Sequence, residues 1–496
     1  MNWPPCQKEK YKSATRANEA IMLETNIHRP LARKGAGKIA LRYLINGIFW
    51  IFKLMGKMVS ATATPLSGTS SVPGDKSISH RALMLGAVAV GQTRIHGLLE
   101  GEDVLATAAA MRAMGVDVKK SAQQWVVNGV GLGGLGQPDG PLDMGNSGTA
   151  ARLLMGLLAG HEISATMVGD KSLSSRPMKR VTEPLKQMGA NFESEGGNDQ
   201  LPLTIKGTSQ PMPISYDLPV ASAQVKSAIL LAGLSASGIT TVVEPHPTRD
   251  HTEKMLSALG AEIKITNRPD GAREISLKGQ PELSAVEITV PGDISSAAFP
   301  MVGALVVGGS KVTLENVGLN PLRTGIVDSL KEMGGDIQIT NARVQAGEDV
   351  GDIVVCHGAL KGIIVPASRA PSMIDEYPIL AVAAAFATGT TRFEGVGELR
   401  VKESDRLAAV EAGLKASGVD VRSGSDWMEI DGCANGPVLG GGVVETHLDH
   451  RIAMAFLVLG MGAKTPVEID DGGPINTSFP GFVELMNGLG ANIKSL

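Results

Sequence analysis

The chain has 496 residues, of which 43% are hydrophobic and 19% are charged, and its formal net charge at pH 7 is −4. This balance is typical of a globular protein with a large core, and it excludes a chain that is mainly disordered. Because the net charge is close to zero, no overall positive field would attract nucleic acid, and any anionic ligand needs a locally assembled group of cations.

Residues 1–57 differ from the rest of the chain and contain an apolar run within KIALRYLINGIFWIFKLMGK. The run is interrupted by Arg42 and Asn46, and it falls short of the roughly 20 apolar residues that span a membrane. A basic transit peptide is one interpretation. We favour a start codon placed too far upstream, with Met58 or a nearby methionine as the true start. Residues 1–57 are therefore expected to be an extension outside the folded core.

A helix end followed by a glycine and a short strand recurs six times, as in MRAMGVDVKK and MNGLGANIKS. The copies are spaced by roughly 70–85 residues, which is longer than the 20–50 residues of solenoid repeats. The six glycines are Gly115, Gly189, Gly260, Gly334, Gly418 and Gly490. Each stands where a helix is expected to end in a left-handed residue, a conformation that glycine adopts freely.

A second pattern with the same spacing consists of a strand end, a turn and a helix that is hydrophobic on nearly all sides. It reads VPGDKSISHRALMLGAVA from Val72 and VPGDISSAAFPMVGALV from Val290, so the first and fourth copies share VPGD. Helices of this kind are expected to be buried. Together the two patterns predict an α/β protein of two halves, in which each half has three units with helices inside and strands outside.

The starts of these buried helices carry cations, although the positive end of a helix dipole favours anions. Ordinary capping explains only the Ser, Asp, Asn and Thr residues found there, whereas an anionic ligand bound at converging helix ends explains the cations as well. Candidate ligand-binding residues in these and two neighbouring motifs are Lys76, Ser77, Arg81, Gly148, Arg152, Arg176, Ser222, Gln224, Lys402, Glu403, Arg406 and Arg451. Arginine forks and lysine point charges suit two small anionic substrates.

Asp375 follows a polar turn in SMIDEYP and is a candidate base, because a carboxylate near several cations stays ionised. The alternative is a helix cap or a buried ion pair.

In RVKESDRL, Lys402 and Arg406 are predicted to share one helix face, and the alternative is a solvated charged surface. His80 and His450 are expected to be structural. No Walker loop, dinucleotide fingerprint or zinc motif occurs, so neither a metal nor another cofactor is expected.

The motifs PGDKSISHR, GNSGTAAR, ASAQVKSA, MIDEYPILA, RVKESDRL and DHRIAMAF follow one another along the chain. In their residues and in their order along the chain, these motifs resemble those of the 5-enolpyruvylshikimate-3-phosphate synthase family, and most closely those of its bacterial class II form. The resemblance implies the two-domain enolpyruvyl transferase fold, which is inverse α/β barrel-like and has three βαβαββ repeats per domain. It implies one domain of residues 58–77 plus 290–496 and another of residues 78–289, with the strand near Ser67–Pro73 in the former.

The resemblance also implies a reaction in which the enolpyruvyl group of phosphoenolpyruvate passes to the 5-hydroxyl of shikimate 3-phosphate and phosphate is released. The residues implied for shikimate 3-phosphate are Lys76, Ser77, Arg81, Ser222, Ala223, Gln224, Arg249, Asp375 and Lys402. Those implied for phosphoenolpyruvate are Lys76, Gly148, Arg176, Gln224, Arg406 and Arg451. The implied catalytic groups are Asp375, Glu403 and Lys76.

The expected protein is a cytoplasmic monomer that binds small-molecule substrates and neither nucleic acid nor a membrane. The three cysteines, Cys6, Cys356 and Cys433, are widely separated and are expected to be reduced thiols. One departure from the family pattern is Thr477 in INTSFPGF, where much of the family has a lysine. Gly148 stands where glyphosate-tolerant class II relatives have alanine, so a glyphosate-sensitive enzyme is expected.

Two alternative functions were weighed. An enolpyruvyl transferase acting on UDP-N-acetylglucosamine shares the repeat, but it usually has a reactive cysteine before its RPM segment, and VGDKSLSSRPMKR has no cysteine. A non-catalytic phosphosugar-binding protein on the same scaffold would have lost its acid–base groups, yet Lys76, Asp375 and Glu403 are all present.

Overall fold

The structure is a computed structural model, and it describes residues 56–194, 199–345, 347–433 and 438–496. The apolar run of the N-terminal extension lies outside these residues, so its predicted character is not addressed by the fold. In the described ranges, none of the helices has the length and apolar character needed to cross a membrane.

The strands are short and alternate with helices along the chain. They are β1 (Met58–Ala61), β2 (Ser67–Ser70), β3 (Val90–His96), β4 (Asp117–Lys120), β5 (Trp125–Val130), β6 (Leu142–Asp143), β7 (Ser164–Val168), β8 (Asn191–Ser194), β9 (Leu203–Lys206), β10 (Ser215–Asp217), β11 (Ile239–Glu244), β12 (Ile263–Asn267), β13 (Arg273–Lys278), β14 (Glu287–Thr289), β15 (Lys311–Gly318), β16 (Asp336–Gln345), β17 (Glu348–Cys356), β18 (Ile364–Val365), β19 (Thr390–Glu394), β20 (Asp420–Ser423), β21 (Trp427–Asp431), β22 (Val443–Val444), β23 (Val467–Ile469) and β24 (Asn492–Ser495).

The α-helices are α1 (Lys76–Val88), α2 (Glu102–Ala113), α3 (Gly148–Ala159), α4 (Lys171–Ser175), α5 (Lys179–Gln187), α6 (Ala223–Gly233), α7 (His251–Ala258), α8 (Ile294–Val306), α9 (Gly325–Glu332), α10 (Tyr377–Ala385), α11 (Arg406–Ala416), α12 (His450–Gly462) and α13 (Phe482–Leu489). Short 3-10 segments cover Ala367–Ser372, Gly397–Val401 and Gly473–Thr477. The helices predicted to be hydrophobic on nearly all sides are α1, α3, α6, α8, α10 and α12.

Within the part of the chain that the structure describes, the strands form six sheets of four strands each, and all six have the same topology. In each sheet one parallel pair is extended by two antiparallel strands, as in the order β6-β7-β9-β8. Three sheets are built from β3–β14, and we call this group the first lobe. The other three are built from β1, β2 and β15–β24 and form the second lobe. β2 belongs to the second lobe, where it pairs in parallel with β15.

The apolar helices are buried as predicted, because each lobe encloses them in its own hydrophobic core. In α1 every residue from Ile78 to Val88 is buried, and in α10 all nine residues are buried. One core draws on residues between Ile78 and Val290. The other combines Leu66 and Val72 with residues after Val290. The two-domain α/β fold class predicted from the sequence is confirmed.

The six repeat glycines all have positive φ angles, between 77° at Gly418 and 120° at Gly490. Each follows the end of a helix, which confirms the predicted role as a left-handed helix terminator. Residues other than glycine are strained at these positive φ angles, because their Cβ atom approaches the following carbonyl oxygen.

The two VPGD segments carry the chain between the lobes and run next to each other. The amide of Asp75 donates to the carbonyl of Pro291 at 2.7 Å, and the amide of Asp293 donates to the carbonyl of Pro73 at 2.9 Å. Asp75 caps α1 and Asp293 caps α8 with their side chains. The shared motif therefore places the first turns of two buried helices together where the lobes meet.

Candidate active site

Asp375 lies in the turn before α10 and is surrounded by cations from both lobes. Its Oδ1 atom is 3.2 Å from Arg406 Nη1 and 3.4 Å from Lys402 Nζ. Its Oδ2 atom is 2.5 Å from Arg249 Nη2, which belongs to the first lobe. Arg451 Nη1 donates to the backbone carbonyl of Asp375 at 3.2 Å. The structure thus brings together five residues from four separate segments of the chain.

These cations decide the protonation state of the Asp375 carboxyl. Burial alone would raise its pKa, because a desolvated carboxylate is disfavoured. The positive charges of Lys402 and Arg249, followed by those of Arg451 and Arg406, outweigh burial and hold the pKa of Asp375 well below its ordinary value. Asp375 is therefore an ionised carboxylate at neutral pH, as a proton acceptor must be.

Glu403 is the second carboxylate of the site. Its Oε2 atom lies 2.5 Å from Arg406 Nη2, and its Oε1 atom lies 3.7 Å from Arg176 Nη1 of the first lobe. Burial would raise the pKa of Glu403, but Arg406 and Arg176 hold it well below its ordinary value. Arg406 is itself buried and also pairs with Asp449 at 2.8 Å, so its guanidinium group is fixed between carboxylates.

Lys76 is the first residue of α1, which Asp75 caps by accepting a hydrogen bond from the amide of Ile78 at 2.8 Å. The ammonium group of Lys76 forms an ion pair with Asp103 in the first turn of α2. The cation at the positive end of the helix dipole is therefore compensated by two carboxylates. The side chain of Lys76 keeps about a fifth of its surface exposed, which leaves it accessible to a ligand.

Arg81 lies one turn further along α1 and is buried. Its guanidinium group donates to the hydroxyls of Thr252 and Ser227, both at 2.7 Å, and to the carbonyl of Ser77 at 3.0 Å. Burial lowers the pKa of Arg81 to about 10, so it stays protonated at neutral pH. These contacts hold Arg81 next to Ser77. Both residues belong to the set that the family resemblance implies for shikimate 3-phosphate.

Gly148 begins α3 between two guanidinium groups. A Cβ atom at this position would lie 2.9 Å from Arg152 Nη1 and 3.1 Å from Arg176 Nη1. Arg176 donates to Oδ1 of Asn146 at 2.7 Å, and Arg152 donates to Oε1 of Gln224 at 2.9 Å. Because glycine has no Cβ atom, the two guanidinium groups can lie close to the start of α3.

Ser222 and Ala223 stand at the start of α6, directly before Gln224. The hydroxyl of Ser222 accepts a hydrogen bond from the amide of Val225 at 3.4 Å, so it caps the helix. The first amides of α6 remain at the positive end of the helix dipole, which is a common position for bound phosphate. Capping and phosphate binding are thus compatible at this helix start.

One local prediction is wrong. Lys402 and Arg406 do not share a helix face, because α11 begins at Arg406 and Asp405 caps it. Lys402 instead follows the 3-10 segment Gly397–Val401. The two cations nevertheless meet at Asp375, since the turn between the two segments brings Lys402 back towards the carboxylate.

Thr477 and His450 lie side by side. Thr477 Oγ1 is 3.5 Å from His450 Nδ1. His450 is buried, and burial lowers its pKa to about 3, to which the nearby charges of Lys76 and Arg451 also contribute. Lys76 and Arg451 come from different lobes and both act on this imidazole, which places the start of α1 close to that of α12.

Three partners of the site residues were missed by sequence reasoning. Asp103 pairs with Lys76, Asp449 pairs with Arg406, and the buried carboxylate of Glu376 lies 3.6 Å from Arg451 Nη1. Asp449 is the first residue of DHR, two positions before Arg451, and Glu376 directly follows Asp375, so their place beside selected residues was the available signal. Asp103 gave no signal beyond its place in an acidic first helical turn.

Comparison with known proteins agrees with this geometry. A sequence model of the family described as EPSP synthase (3-phosphoshikimate 1-carboxyvinyltransferase) matches residues 61–486. The chain belongs to the EPSP synthase family. The family resemblance predicted from the motifs is thereby confirmed, and so is the prediction of an enzyme of the transferase class.

Relatives of the EPSP synthase family support this over most of the chain. The 3-phosphoshikimate 1-carboxyvinyltransferase of Parvibaculum lavamentivorans is 59% identical over 437 residues, covering 87% of this chain and 96% of the relative. That of Rhodospirillum rubrum has the same identity and coverage. The solved structure of EPSP synthase from Acinetobacter baumannii is 46% identical and aligns with a TM-score of 0.79 over 88% of this chain and 99% of the relative.

Proposed function

We propose that the site around Asp375 and Glu403 transfers the enolpyruvyl group of phosphoenolpyruvate to the 5-hydroxyl of shikimate 3-phosphate. The observation that carries this proposal is the pair of ionised carboxylates held among cations of both lobes. Both substrates are phosphorylated anions, so they need such a set of cations, and the addition of a hydroxyl group to the enol double bond needs proton acceptors and donors.

In this reaction the 5-hydroxyl oxygen bonds to C2 of phosphoenolpyruvate while C3 gains a proton. The resulting tetrahedral ketal then expels phosphate from C2 and loses a proton from C3, which restores the double bond in the product. We assign Asp375 as the acceptor of the hydroxyl proton, because it is ionised and partly exposed. Glu403 and Lys76 complete the set of catalytic groups that handle the C3 proton.

The proposed contacts divide between the two substrates. Shikimate 3-phosphate is bound by Lys76, Ser77, Arg81, Ser222, Ala223, Gln224, Arg249, Asp375 and Lys402. Phosphoenolpyruvate is bound by Lys76, Gly148, Arg176, Gln224, Arg406 and Arg451. The first set is supported by the free helix start of α6 and the second by the guanidinium groups that flank Gly148 and Glu403.

We further propose the domain division of residues 58–77 plus 290–496 and residues 78–289, with 1–57 outside the core. The division is supported by the two separate hydrophobic cores and by the sheets that belong to each. The enzyme is proposed to act as a cytoplasmic monomer, since one chain supplies all the site residues named above and Cys356 and Cys433 are free thiols.

The test is release of inorganic phosphate from purified protein mixed with phosphoenolpyruvate and shikimate 3-phosphate. We expect release only when both are present, and none when UDP-N-acetylglucosamine replaces shikimate 3-phosphate. Binding of both substrates without phosphate release would instead support a non-catalytic phosphosugar-binding protein and would contradict the proposal.

A further inference from the structure

In this structure Arg249 is bound to the carboxylate of Asp375. The 3-phosphate of the substrate is its other proposed partner. The Nη2 atom of Arg249 lies 2.5 Å from Oδ2 of Asp375, across the boundary between the lobes. The side chains keep 19% and 16% of their surface exposed, so a ligand between the lobes can reach the pair. The oxygen that Arg249 covers is not the one nearest to Lys402 and Arg406, which lie at Oδ1.

The backbone beside Arg249 is anchored to the start of the substrate-binding helix α6. Thr248 donates from its hydroxyl to Glu244 at 2.6 Å, and its carbonyl accepts a hydrogen bond from the ammonium group of Lys226 at 3.3 Å. Lys226 lies on α6, is fully buried, and pairs with Glu244 at 3.0 Å and with Glu253 at 2.8 Å. These buried contacts connect the backbone at Thr248 to α6, so they hold it in place while the partly exposed end of Arg249 can change its partner.

The anchored backbone leaves the long side chain of Arg249 as the part that moves. Near the first turn of α6, where the substrate phosphate is proposed to bind, a phosphate group offers the guanidinium several charged oxygens in a forked geometry. Asp375 offers Arg249 one oxygen and keeps Lys402 and Arg406 as partners when Arg249 leaves. The phosphate is therefore the stronger competitor, and the departure of Arg249 does not leave the carboxylate unpaired.

We propose that Arg249 is a substrate-operated gate on Asp375, which the 3-phosphate of the substrate opens by drawing the guanidinium group away from Oδ2. The freed oxygen then accepts the proton of the 5-hydroxyl as that hydroxyl bonds to C2 of phosphoenolpyruvate. The 3-phosphate thereby contributes to turnover as well as to binding. This inference rests on the proposed function, because it takes the acceptor role of Asp375 from it.

The gate is tested by comparing shikimate, which lacks the phosphate, with shikimate 3-phosphate in wild-type enzyme and in Arg249→Gln. Phosphate release is measured at saturating phosphoenolpyruvate. In the wild type shikimate leaves the gate closed, so turnover is very low. In Arg249→Gln the gate is absent, and we expect kcat with shikimate to rise by about tenfold, which is a part of the roughly 100- to 10,000-fold that a positioned acid or base typically contributes. The KM for shikimate 3-phosphate should rise in the same variant.

A gain of activity on a poorer substrate is not produced by structural damage, which makes the outcome diagnostic. The matched control is Arg273→Gln, which removes a first-lobe cation that lies 3.8 Å from Asp250 and has no contact with Asp375. We expect this control to match the wild type on shikimate. An equal gain in the control would show a general charge effect and would overturn the gate.

The pH profile gives a second readout. Arg249 lowers the pKa of Asp375, so the acidic limb of kcat/KM should move to higher pH in Arg249→Gln. An unmoved limb, or shikimate turnover no faster than in the wild type, would overturn the gate. These failures differ from failure of the proposed function, in which wild-type enzyme would release no phosphate even from shikimate 3-phosphate.

Discussion

Gly148 is the residue at which a single methyl group should change inhibitor selectivity. A Cβ atom there would lie 2.9 Å from Arg152 Nη1 and 3.1 Å from Arg176 Nη1, so the guanidinium groups must shift. Glyphosate occupies the phosphoenolpyruvate site in this family and is a longer molecule than phosphoenolpyruvate, so the added methyl group should crowd glyphosate more than the substrate. For Gly148→Ala we expect the inhibition constant of glyphosate to rise about tenfold, equivalent to roughly 1.4 kcal/mol of overpacking.

The measurement is inhibition by glyphosate at several concentrations of phosphoenolpyruvate, in the wild type and in Gly148→Ala. Affinity for shikimate 3-phosphate serves as the internal control and should be unchanged. An unchanged inhibition constant in Gly148→Ala would refute the steric explanation.

At the scale of single residues, the sequence predicted which residue types form the site, but not which side chains pair with each other. Cations beside small residues at helix starts pointed to an anion site because helix starts have recognisable signals. The pairing of Arg249 with Asp375 joins residues 126 positions apart and depends on how the lobes meet. The prediction that Lys402 and Arg406 share a helix face failed for a local reason, because Asp405 caps a helix that begins only at Arg406.

The helix-terminating glycines support a prediction about single elements. Gly115 has φ +87° and no atom within 4 Å of its Cβ position, so Gly115→Ala adds backbone strain without a clash. We expect the free energy of unfolding to fall by about 1 kcal/mol, as is typical of a left-handed residue other than glycine. Urea denaturation followed by circular dichroism measures this change.

The control is Gly140→Ala in the same lobe. Gly140 also has open space around its Cβ position, but its φ angle lies outside the left-handed region. We expect Gly140→Ala to leave stability unchanged or to raise it slightly, because alanine reduces the entropy of the unfolded chain. Equal stability of the two variants would contradict the role assigned to Gly115.

Elements were the most predictable level of the structure. Helix ends with glycine and helices that are hydrophobic on nearly all sides are local signals, and their sixfold recurrence gave the two halves of three units. The order of strands within a sheet could not be derived, because the pairing of β1 with β24 depends on closure across almost the whole chain. The strands that pair with β1, which are β23 and β24, became clear only from the structure.

The whole molecule should lose stability on mild acidification because each lobe buries a neutral histidine. Burial holds the pKa of His80 well below its ordinary value and that of His450 at about 3. In the unfolded chain both titrate near pH 6.5. Below that pH the unfolded chain binds protons that the folded chain does not, so the free energy of unfolding falls as the pH falls.

For the two histidines together we expect about 2–3 kcal/mol less stability at pH 5.5 than at pH 7.5. Urea denaturation at the two pH values measures the difference in the wild type and in the double variant with His80→Gln and His450→Gln. Asp375 and Glu403 contribute with the same sign, but only at lower pH, as their unfolded carboxyls titrate near pH 4. A pH dependence that is identical in the double variant would contradict the assignment to the histidines.

The central claim is that Asp375 accepts the proton of the substrate hydroxyl inside a cluster built from both lobes. It is tested most directly by Asp375→Asn, which keeps the size and shape of the side chain and removes the proton acceptor. The measurement combines calorimetric binding of shikimate 3-phosphate with the rate of phosphate release. We predict binding within a few-fold of the wild type and a fall in kcat of at least about 100-fold. Binding that is retained together with turnover near the wild-type rate would contradict the account.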